Sequence, residues 1–196
     1  MRYRLPSRTN WQVSEVGFGM WGMSEWTGRD DDESRASLNR AVELGCTSFD
    51  TAWAYGSGRS ERLLGKLVRD HLEARLCTPA KIPPKNRKWL ARPHDRLDDT
   101  YPPDHIREYT EKSLENLGLS GLDLIRFHVW DDGWADDERW QRAVDDLKRQ
   151  GLVHAVGVRV NRWEPENCLR RPRTGLIDWR TNRPSSGPSS CLTHNA

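Results

Sequence analysis

Short apolar runs and segments with helical spacing alternate along the first 160 residues of the chain. The runs are short enough for buried strands and cover residues 16–20, 46–51, 76–82, 122–129 and 153–160. The segments between them repeat apolar residues at helical spacing and predict helices over residues 31–44, 60–71, 103–117 and 136–150. Strands that alternate with helices in this way predict a parallel sheet with crossover helices.

The number of repeats indicates the fold class. Five β/α units without a reversal of the pattern favour an α/β protein of the (β/α)8 TIM-barrel type over an open sheet, although periodicity by itself fits both. Two segments before the first unit, Tyr3–Leu5 and Trp11–Val13, flank a turn and predict an N-terminal hairpin. A full barrel takes about 250 residues. The 196 residues present therefore predict an incomplete barrel of about five units plus this hairpin.

The alternating pattern ends after Asn161. A helix over Glu164–Leu169 would meet Pro172 within one turn. Leu176–Asp178 could begin a sixth strand. The remaining segment, Trp179–Ala196, is mostly Arg, Ser, Pro, Thr and Asn and offers almost nothing to bury, so we expect it to be disordered.

This change of character divides the chain in two. Residues 1–170 form a partial barrel, and residues 171–196 form a polar, basic tail. The simplest explanation of the abrupt transition is a reading-frame shift or a premature truncation, which we state as a hypothesis.

Charge and cysteine usage narrow the class of protein. Residues 170–196 hold five arginines and one aspartate, so the formal net charge of +2 comes from the tail. The barrel segment therefore gives no basis for nucleic-acid binding. No run approaches the ~18 apolar residues of a membrane helix, so we expect no membrane partner. Four widely spaced cysteines favour free thiols in a reducing, cytoplasmic compartment and argue against a metal site.

Four polar residues occur at or just after predicted strand ends, where functional groups gather in parallel α/β proteins: Asp50, Tyr55, Lys81 and His128. Each has an ordinary alternative when taken singly. Asp50 could cap a helix, and Lys81 could be a solvated charge. His128 could be a satisfied core histidine, and Tyr55 a packing aromatic. Together they form a set that carbonyl reduction can use.

Carbonyl reduction requires a hydride at carbon and a proton at oxygen. A tyrosine hydroxyl has a reference pKa of about 10, which is too high for an efficient acid near neutrality. A nearby ammonium stabilises tyrosinate and lowers that pKa, and a carboxylate holds the ammonium in place. A neutral histidine can donate a hydrogen bond to the substrate oxygen and orient it. Tyr55, Lys81, Asp50 and His128 could fill these four roles.

The segments around these residues resemble the aldo-keto reductase family. Residues 49–61, Phe-Asp-Thr-Ala-Trp-Ala-Tyr-Gly-Ser-Gly-Arg-Ser-Glu, resemble the signature around the catalytic Asp and Tyr of the family. Residues 80–84, Ala-Lys-Ile-Pro-Pro, resemble its lysine strand, and residues 123–130, Asp-Leu-Ile-Arg-Phe-His-Val-Trp, its histidine strand. Residues 17–22, Gly-Phe-Gly-Met-Trp-Gly, are similar to its first strand and cofactor-side loop. The resemblance spans residues 1 to about 170.

The resemblance implies a (β/α)8 barrel, NADPH as hydride donor and a small carbonyl compound, such as an aldehyde, ketone or sugar, as substrate. It implies that Tyr55 is the general acid, that Lys81 modulates its pKa, that Asp50 partners Lys81 and that His128 orients the substrate.

It also implies residues for the two ligands. The expected cofactor-binding residues are Gly19, Met20, Trp21, Asp50 and Asn161. The expected pocket residues are Trp21, Trp53 and Trp130. The alternative for these tryptophans is ordinary packing at the barrel rim.

The sequence departs from the family pattern in three places. The family's fifth strand ends in Gly-x-Ser, which helps to hold the nicotinamide carboxamide. Residues 157–161 read Gly-Val-Arg-Val-Asn, so Arg159 stands where the serine is expected. The family's glutamine strand is not found from Trp179 onward. Its phosphate-gripping strand and loop lie beyond the end of this sequence.

The function expected from the resemblance is NADPH-dependent reduction of aldehydes and ketones by an oxidoreductase. Two alternatives remain open. One is a non-catalytic barrel fragment that associates through the open edge of its sheet. The other is a subunit that senses the cofactor without turnover.

Overall fold

The computed structural model describes residues 1–5, 9, 11–24, 30–92, 94–160 and 177–182. This part of the chain forms eight strands and five α-helices. The strands are β1 Tyr3–Arg4, β2 Val13–Ser14, β3 Phe18–Gly19, β4 Phe49–Asp50, β5 Pro79–Ile82, β6 Leu122–Phe127, β7 Val153–Val160 and β8 Trp179–Asn182. The helices are α1 Asp31–Glu43, α2 Arg59–Asp70, α3 Leu97–Thr100, α4 Pro103–Leu117 and α5 Glu138–Arg149. Two short 3-10 helices cover Trp21–Met23 and Asp132–Trp134.

The strands from β3 onward follow one another as parallel neighbours. β3 pairs with β4, and β5, β6, β7 and β8 pair in chain order. A parallel bridge between Ser48 and Cys77 connects the chain before β4 to the chain before β5. Within the described residues β3 and β8 do not pair with each other, so the sheet is not closed. This is the incomplete (β/α)8-type fold that the alternation predicted. The antiparallel pair β1–β2 confirms the N-terminal hairpin.

Local sequence signals set the helix boundaries. α1 follows Asp30, whose carboxylate accepts a hydrogen bond from the backbone N–H of Glu33 at 2.7 Å. The chain leaves α1 through Gly45, which adopts a φ of +87°. α4 has Pro103 in its first turn and ends at Gly118, with a φ of +67°. These signals determine where α1 and α4 begin and end, and each of the two helices is followed by the next parallel strand.

The two faces of the sheet differ in character. Ile82, Phe127 and Val158 lie in one register row and are at most 1% exposed, so this row belongs to the apolar core. The preceding row contains Lys81 and Arg126. Successive residues of a strand point to opposite faces. Near the C-terminal ends of β5 and β6 the sheet therefore presents apolar side chains on one face and Lys81 and Arg126 on the other.

Residues 177–182 attach to β7. The backbone N–H of Asp178 donates to the carbonyl of Val156 at 2.6 Å, and the Asp178 carboxylate accepts from the N–H of Val156 at 3.0 Å. Lys148 of α5 pairs with the same carboxylate at 2.6 Å. Where the sequence predicted disorder from Trp179 on, the structure forms β8, because backbone pairing needs no apolar side chains.

The predicted loop over residues 84–103 contains a second difference, the short helix α3. The carbonyl of Leu97 accepts a hydrogen bond from the N–H of Tyr101 at 2.6 Å, and both side chains are buried. Burial of these two side chains stabilises a turn that the polar local sequence did not indicate. The predicted helix over 164–169 and residues 183–196 of the tail lie outside the described residues.

Candidate active site

Lys81 lies at the centre of a cluster of polar side chains at the C-terminal ends of the strands. Its ammonium donates hydrogen bonds to Asp50 Oδ2 at 2.9 Å, to the Thr51 carbonyl at 2.8 Å and to the Tyr55 hydroxyl at 3.2 Å. Three acceptors satisfy the three donors of an ammonium. Lys81 is only 1% exposed, so its position is fixed and the Tyr55 hydroxyl is held against it.

The turn after β4 brings Tyr55 to Lys81. The backbone N–H of Tyr55 donates to the carbonyl of Ala52 at 3.0 Å. The carbonyl of Tyr55 accepts from the N–H of Ser60, in the first turn of α2, at 3.2 Å. The Ser60 hydroxyl is in turn 2.7 Å from that of Thr51. The turn is thus anchored at both ends, which places the phenol without a long flexible loop.

Asp50 receives a second cation in addition to Lys81. Arg126 is the register partner of Lys81 on β6, is 3% exposed, and donates from Nη2 to Asp50 Oδ1. Burial by itself would raise the pKa of Asp50, but the charges and hydrogen bonds of Arg126 and Lys81 hold it well below its usual range. The Asp50 side chain is 44% exposed, so this ionised carboxylate lies where the cluster meets solvent.

The same surroundings disfavour the charged form of Lys81. Burial, reinforced by the positive charge of Arg126, lowers the pKa of Lys81 to about 7. The negative charge of Asp50 opposes this shift but does not cancel it. Lys81 consequently changes its protonation state close to neutral pH.

His128 lies one residue beyond β6 and borders the Tyr55 ring. The two ring centroids are 5.8 Å apart, with the planes nearly perpendicular. Burial, together with the charges of Lys81, Arg159 and Arg126, lowers the pKa of His128 to about 2. His128 is therefore a neutral imidazole. Its Nδ1 atom is buried and makes no hydrogen bond to the described residues.

Trp89 completes the surroundings of His128. It comes from the loop after β5, is 47% exposed, and its ring centroid lies 5.1 Å from that of His128 in an edge-on arrangement. Trp89 was not among the residues predicted for the site. Its only signal was a large aromatic side chain within a polar, proline-rich loop.

Arg126 was likewise not among the residues predicted for the site. An arginine within the apolar run of β6 was the available signal, because a buried strand seldom carries an unpaired guanidinium. Its partner Asp50 is 76 residues away in the chain, and only the fold brings the two together.

The segment expected to hold the cofactor borders Asp50. Gly19 is the register partner of Asp50, and the backbone N–H of Met20 donates to the Asp50 carbonyl at 3.0 Å. Met20 is fully buried, whereas Trp21 is 59% exposed. A Cβ built on Gly19 would meet no atom within 4 Å, so the backbone there is open to a ligand. Asn161 lies outside the described residues.

The other two expected pocket tryptophans pack elsewhere. Trp130 is 1% exposed and packs against Phe127 and Trp140, with ring centroids 5.5 and 5.4 Å away. Trp53 is half-buried, and its ring lies 4.8 Å from that of Tyr109 on α4. Ordinary packing accounts for these contacts, and the structure does not bring either ring together with Lys81.

The cluster combines a hydroxyl in contact with an ammonium, an ionised carboxylate and a neutral imidazole. This set can deliver a proton to an oxygen atom and stabilise the phenolate that remains. Within the part of the chain that the structure describes, no group of three or more His, Cys, Asp or Glu could hold a metal ion. The described helices are all too short or too polar to cross a membrane.

Comparison with known proteins agrees with this geometry. The model of the Aldo/keto reductase family matches residues 15–180. Aldo-keto reductase YhdN of Bacillus subtilis is 31% identical over 163 residues, which cover 81% of this chain and 46% of that protein. An aldo-keto reductase of Gibberella moniliformis is 32% identical over 150 residues, which cover 75% of this chain and 43% of that protein.

A solved structure extends the agreement to the fold. A thermostable aldo-keto reductase in complex with the inhibitor epalrestat superimposes with a TM-score of 0.71 and 25% identity, covering 93% of this chain and 62% of that one. The chain spans about half the length of the curated relatives named above. Since the family model matches well over half of its residues, the chain belongs to the aldo/keto reductase family.

Proposed function

We propose that this chain reduces the carbonyl group of small aldehydes or ketones, with NADPH as hydride donor and Tyr55 as proton donor. The observation that carries the proposal is the 3.2 Å contact between the Tyr55 hydroxyl and the Lys81 ammonium, next to the neutral ring of His128.

In the proposed reaction the substrate oxygen lies between the Tyr55 hydroxyl and the imidazole of His128. Tyr55 gives its proton to the oxygen, and the ammonium of Lys81 stabilises the phenolate. His128 donates a hydrogen bond from the single N–H of its neutral ring, and this bond orients the carbonyl. Trp89 borders His128 edge-on, with 5.1 Å between the ring centroids.

NADPH, when bound, supplies the hydride. Gly19, Met20 and Trp21 fit its nicotinamide end, because they adjoin Asp50 and leave open backbone at Gly19. Asn161 is the further residue that we propose for the cofactor.

Turnover and cofactor binding can be tested on the same preparation. NADPH is titrated by quenching of tryptophan fluorescence, and its oxidation is followed with 4-nitrobenzaldehyde as substrate. We expect binding and slow turnover. Tyr55→Phe should abolish turnover while NADPH binds as before. Tyr3→Phe is the matched control, because that exposed hydroxyl donates a hydrogen bond to the Gly45 carbonyl at 3.0 Å. Equal rates in wild type and Tyr55→Phe would contradict the proposal.

A second candidate function is association through the sheet edge. Among the described strands β8 pairs only with β7, so its other edge can accept a further strand. NADPH binding without turnover, together with a concentration-dependent change in mass by light scattering, would favour this candidate over catalysis.

A further inference from the structure

Arg159 occupies a position beside the proposed carbonyl site. Val158 pairs with Phe127 in the β6–β7 register, so Arg159 and His128 both lie one residue further along adjacent parallel strands. Residues in equivalent positions of parallel strands point to the same face. Adjacent strands are about 4.8 Å apart, and the long side chain of Arg159 therefore reaches the surroundings of the His128 ring.

The guanidinium of Arg159 makes no ion pair with any residue that the structure describes. Its side chain is half-buried. An arginine that loses water in this way is ordinarily paired with a carboxylate. The nearest carboxylate of the cluster, Asp50, already binds Lys81 and Arg126.

The cluster consequently has an excess of positive charge. Lys81, Arg126 and Arg159 face one carboxylate. The charge of Arg159 helps to lower the pKa of both Lys81 and His128, in agreement with its place on the strand next to His128. An anion at this position would relieve the repulsion among the three cations.

We propose that Arg159 binds a carboxylate of the substrate, and that the site selects carbonyl compounds with a carboxylate one or two carbons from the reacting carbonyl. These are 2-oxo acids and short aldehyde acids. The inference rests on the proposed function, because it uses the carbonyl position between Tyr55 and His128. A guanidinium offers two parallel donors that match a carboxylate, which a serine hydroxyl does not.

The position of Arg159 next to His128 favours the substrate over the cofactor as the source of this anion. Arg159 is on β7, next to β6, and His128 lies one residue beyond β6. Of the residues proposed for the cofactor, Gly19, Met20 and Trp21 follow β3, and Asn161 lies two residues beyond Arg159. The nicotinamide end that these residues would hold carries a neutral carboxamide, which offers no carboxylate to the guanidinium. A phosphate of the cofactor carries similar negative charge, so the experiment separates the two sources.

The test compares an acid with its ester. Binding of phenylglyoxylate and of methyl phenylglyoxylate to the full chain is measured by calorimetry, with and without NADPH, and reduction of each is followed. We expect the acid to bind about tenfold more tightly than the ester, with the ratio falling as salt rises. Arg159→Ser should bring the ratio close to one. Arg159→Lys should keep part of the preference for the acid, because lysine retains the positive charge but lacks the two parallel donors of a guanidinium.

Several results would overturn the inference. Equal binding of acid and ester by the wild type would do so even if a variant failed to fold. An unchanged preference in folded Arg159→Ser would also do so. Weaker NADPH binding in Arg159→Ser, with the acid preference intact, would assign the guanidinium to the cofactor instead.

The two proposals can fail separately. An acid preference in calorimetry without any turnover would support the anion site and contradict the proposed function. Turnover of neutral aldehydes without an acid preference would support the proposed function and contradict the anion site.

Discussion

Lys81 and Arg126 are register partners on adjacent parallel strands, and both side chains end on the carboxylate of Asp50. Two cations buried side by side repel each other, and the shared carboxylate compensates only in part. Because an arginine stays charged throughout the accessible pH range, the lysine is the member that loses its proton first. Arg126 therefore helps to place the pKa of Lys81 near 7.

Arg126→Gln should raise the pKa of Lys81 above about 7, since the variant removes a neighbouring positive charge. In wild type the proposed activity should fall as pH rises through about 7, because the ammonium that stabilises the Tyr55 phenolate is lost. In Arg126→Gln this fall should move to higher pH. The measurements are the pH profile of kcat and an NMR titration of the lysine side chain.

The matched control for this prediction is Arg142→Gln. Arg142 is 79% exposed on α5, where it pairs with Glu138. Its pH profile should coincide with that of wild type. An Arg126→Gln profile that also coincides with wild type would show that Arg126 does not set the pKa of Lys81.

Glu61 gives a prediction about stability and pH. It is fully buried between α2 and α4 and accepts hydrogen bonds from Ser113 and Asn116, both at 2.8 Å. Burial outweighs these bonds and raises its pKa to about 7 from its ordinary value of 4.5. Between these two values the folded chain holds a proton that the unfolded chain releases. The contribution of Glu61 to the free energy of unfolding therefore falls as pH rises through this window.

Glu61→Gln should be unaffected by this loss. Relative to wild type, the variant should gain up to about 3 kcal/mol in the free energy of unfolding between pH 4.5 and 7. Urea denaturation at pH 5 and pH 8 measures the gain. Glu111→Gln on the exposed face of α4 is the control and should show no such trend. A constant difference between Glu61→Gln and wild type at both pH values would contradict the raised pKa.

Gly65 marks the closest approach of α2 to α4. A Cβ built on Gly65 would lie 2.3 Å from the backbone carbonyl oxygen of Leu117. Gly65→Ala must therefore push the two helices apart. We expect a loss of about 1–3 kcal/mol in the free energy of unfolding, despite the gain in helix propensity of about 1 kcal/mol.

Gly22→Ala is the matched control for Gly65→Ala, because a Cβ at Gly22 meets no atom within 4 Å. Chemical denaturation of the two variants should separate them clearly. Equal stability of the two would show that α2 and α4 can separate at no cost.

Tyr101 supports the strand end that carries His128. Its hydroxyl accepts a hydrogen bond from the backbone N–H of Val129 at 2.9 Å, and its side chain is fully buried. Tyr101→Phe leaves that N–H without its partner, and we expect a loss of about 1–3 kcal/mol in the free energy of unfolding. Hydrogen exchange at the Val129 amide should accelerate more than exchange at the amides of β6. Unchanged exchange there would indicate that another group replaces the hydroxyl.

The sequence by itself determined the order of the elements and the identity of the central group. Alternating strand and helix patterns predicted the parallel sheet, because each crossover helix shows apolar residues at helical spacing between two apolar strand segments. Asp50, Tyr55 and Lys81 were predicted to act together, and their side chains lie in hydrogen-bond contact through Lys81. Their strand-end positions could be read locally, since parallel strands all end at the same edge.

Which further side chains join that group depends on contacts made by the folded chain. Arg126 and Trp89 gave weak local signals, and their contacts with Asp50 and His128 depend on the register of β5 and β6 and on the course of one loop. Trp130 occupied a suggestive position in sequence, yet it packs into the core. Electrostatic neighbours and packing depend on distances across strands, and spacing along the chain does not contain those distances.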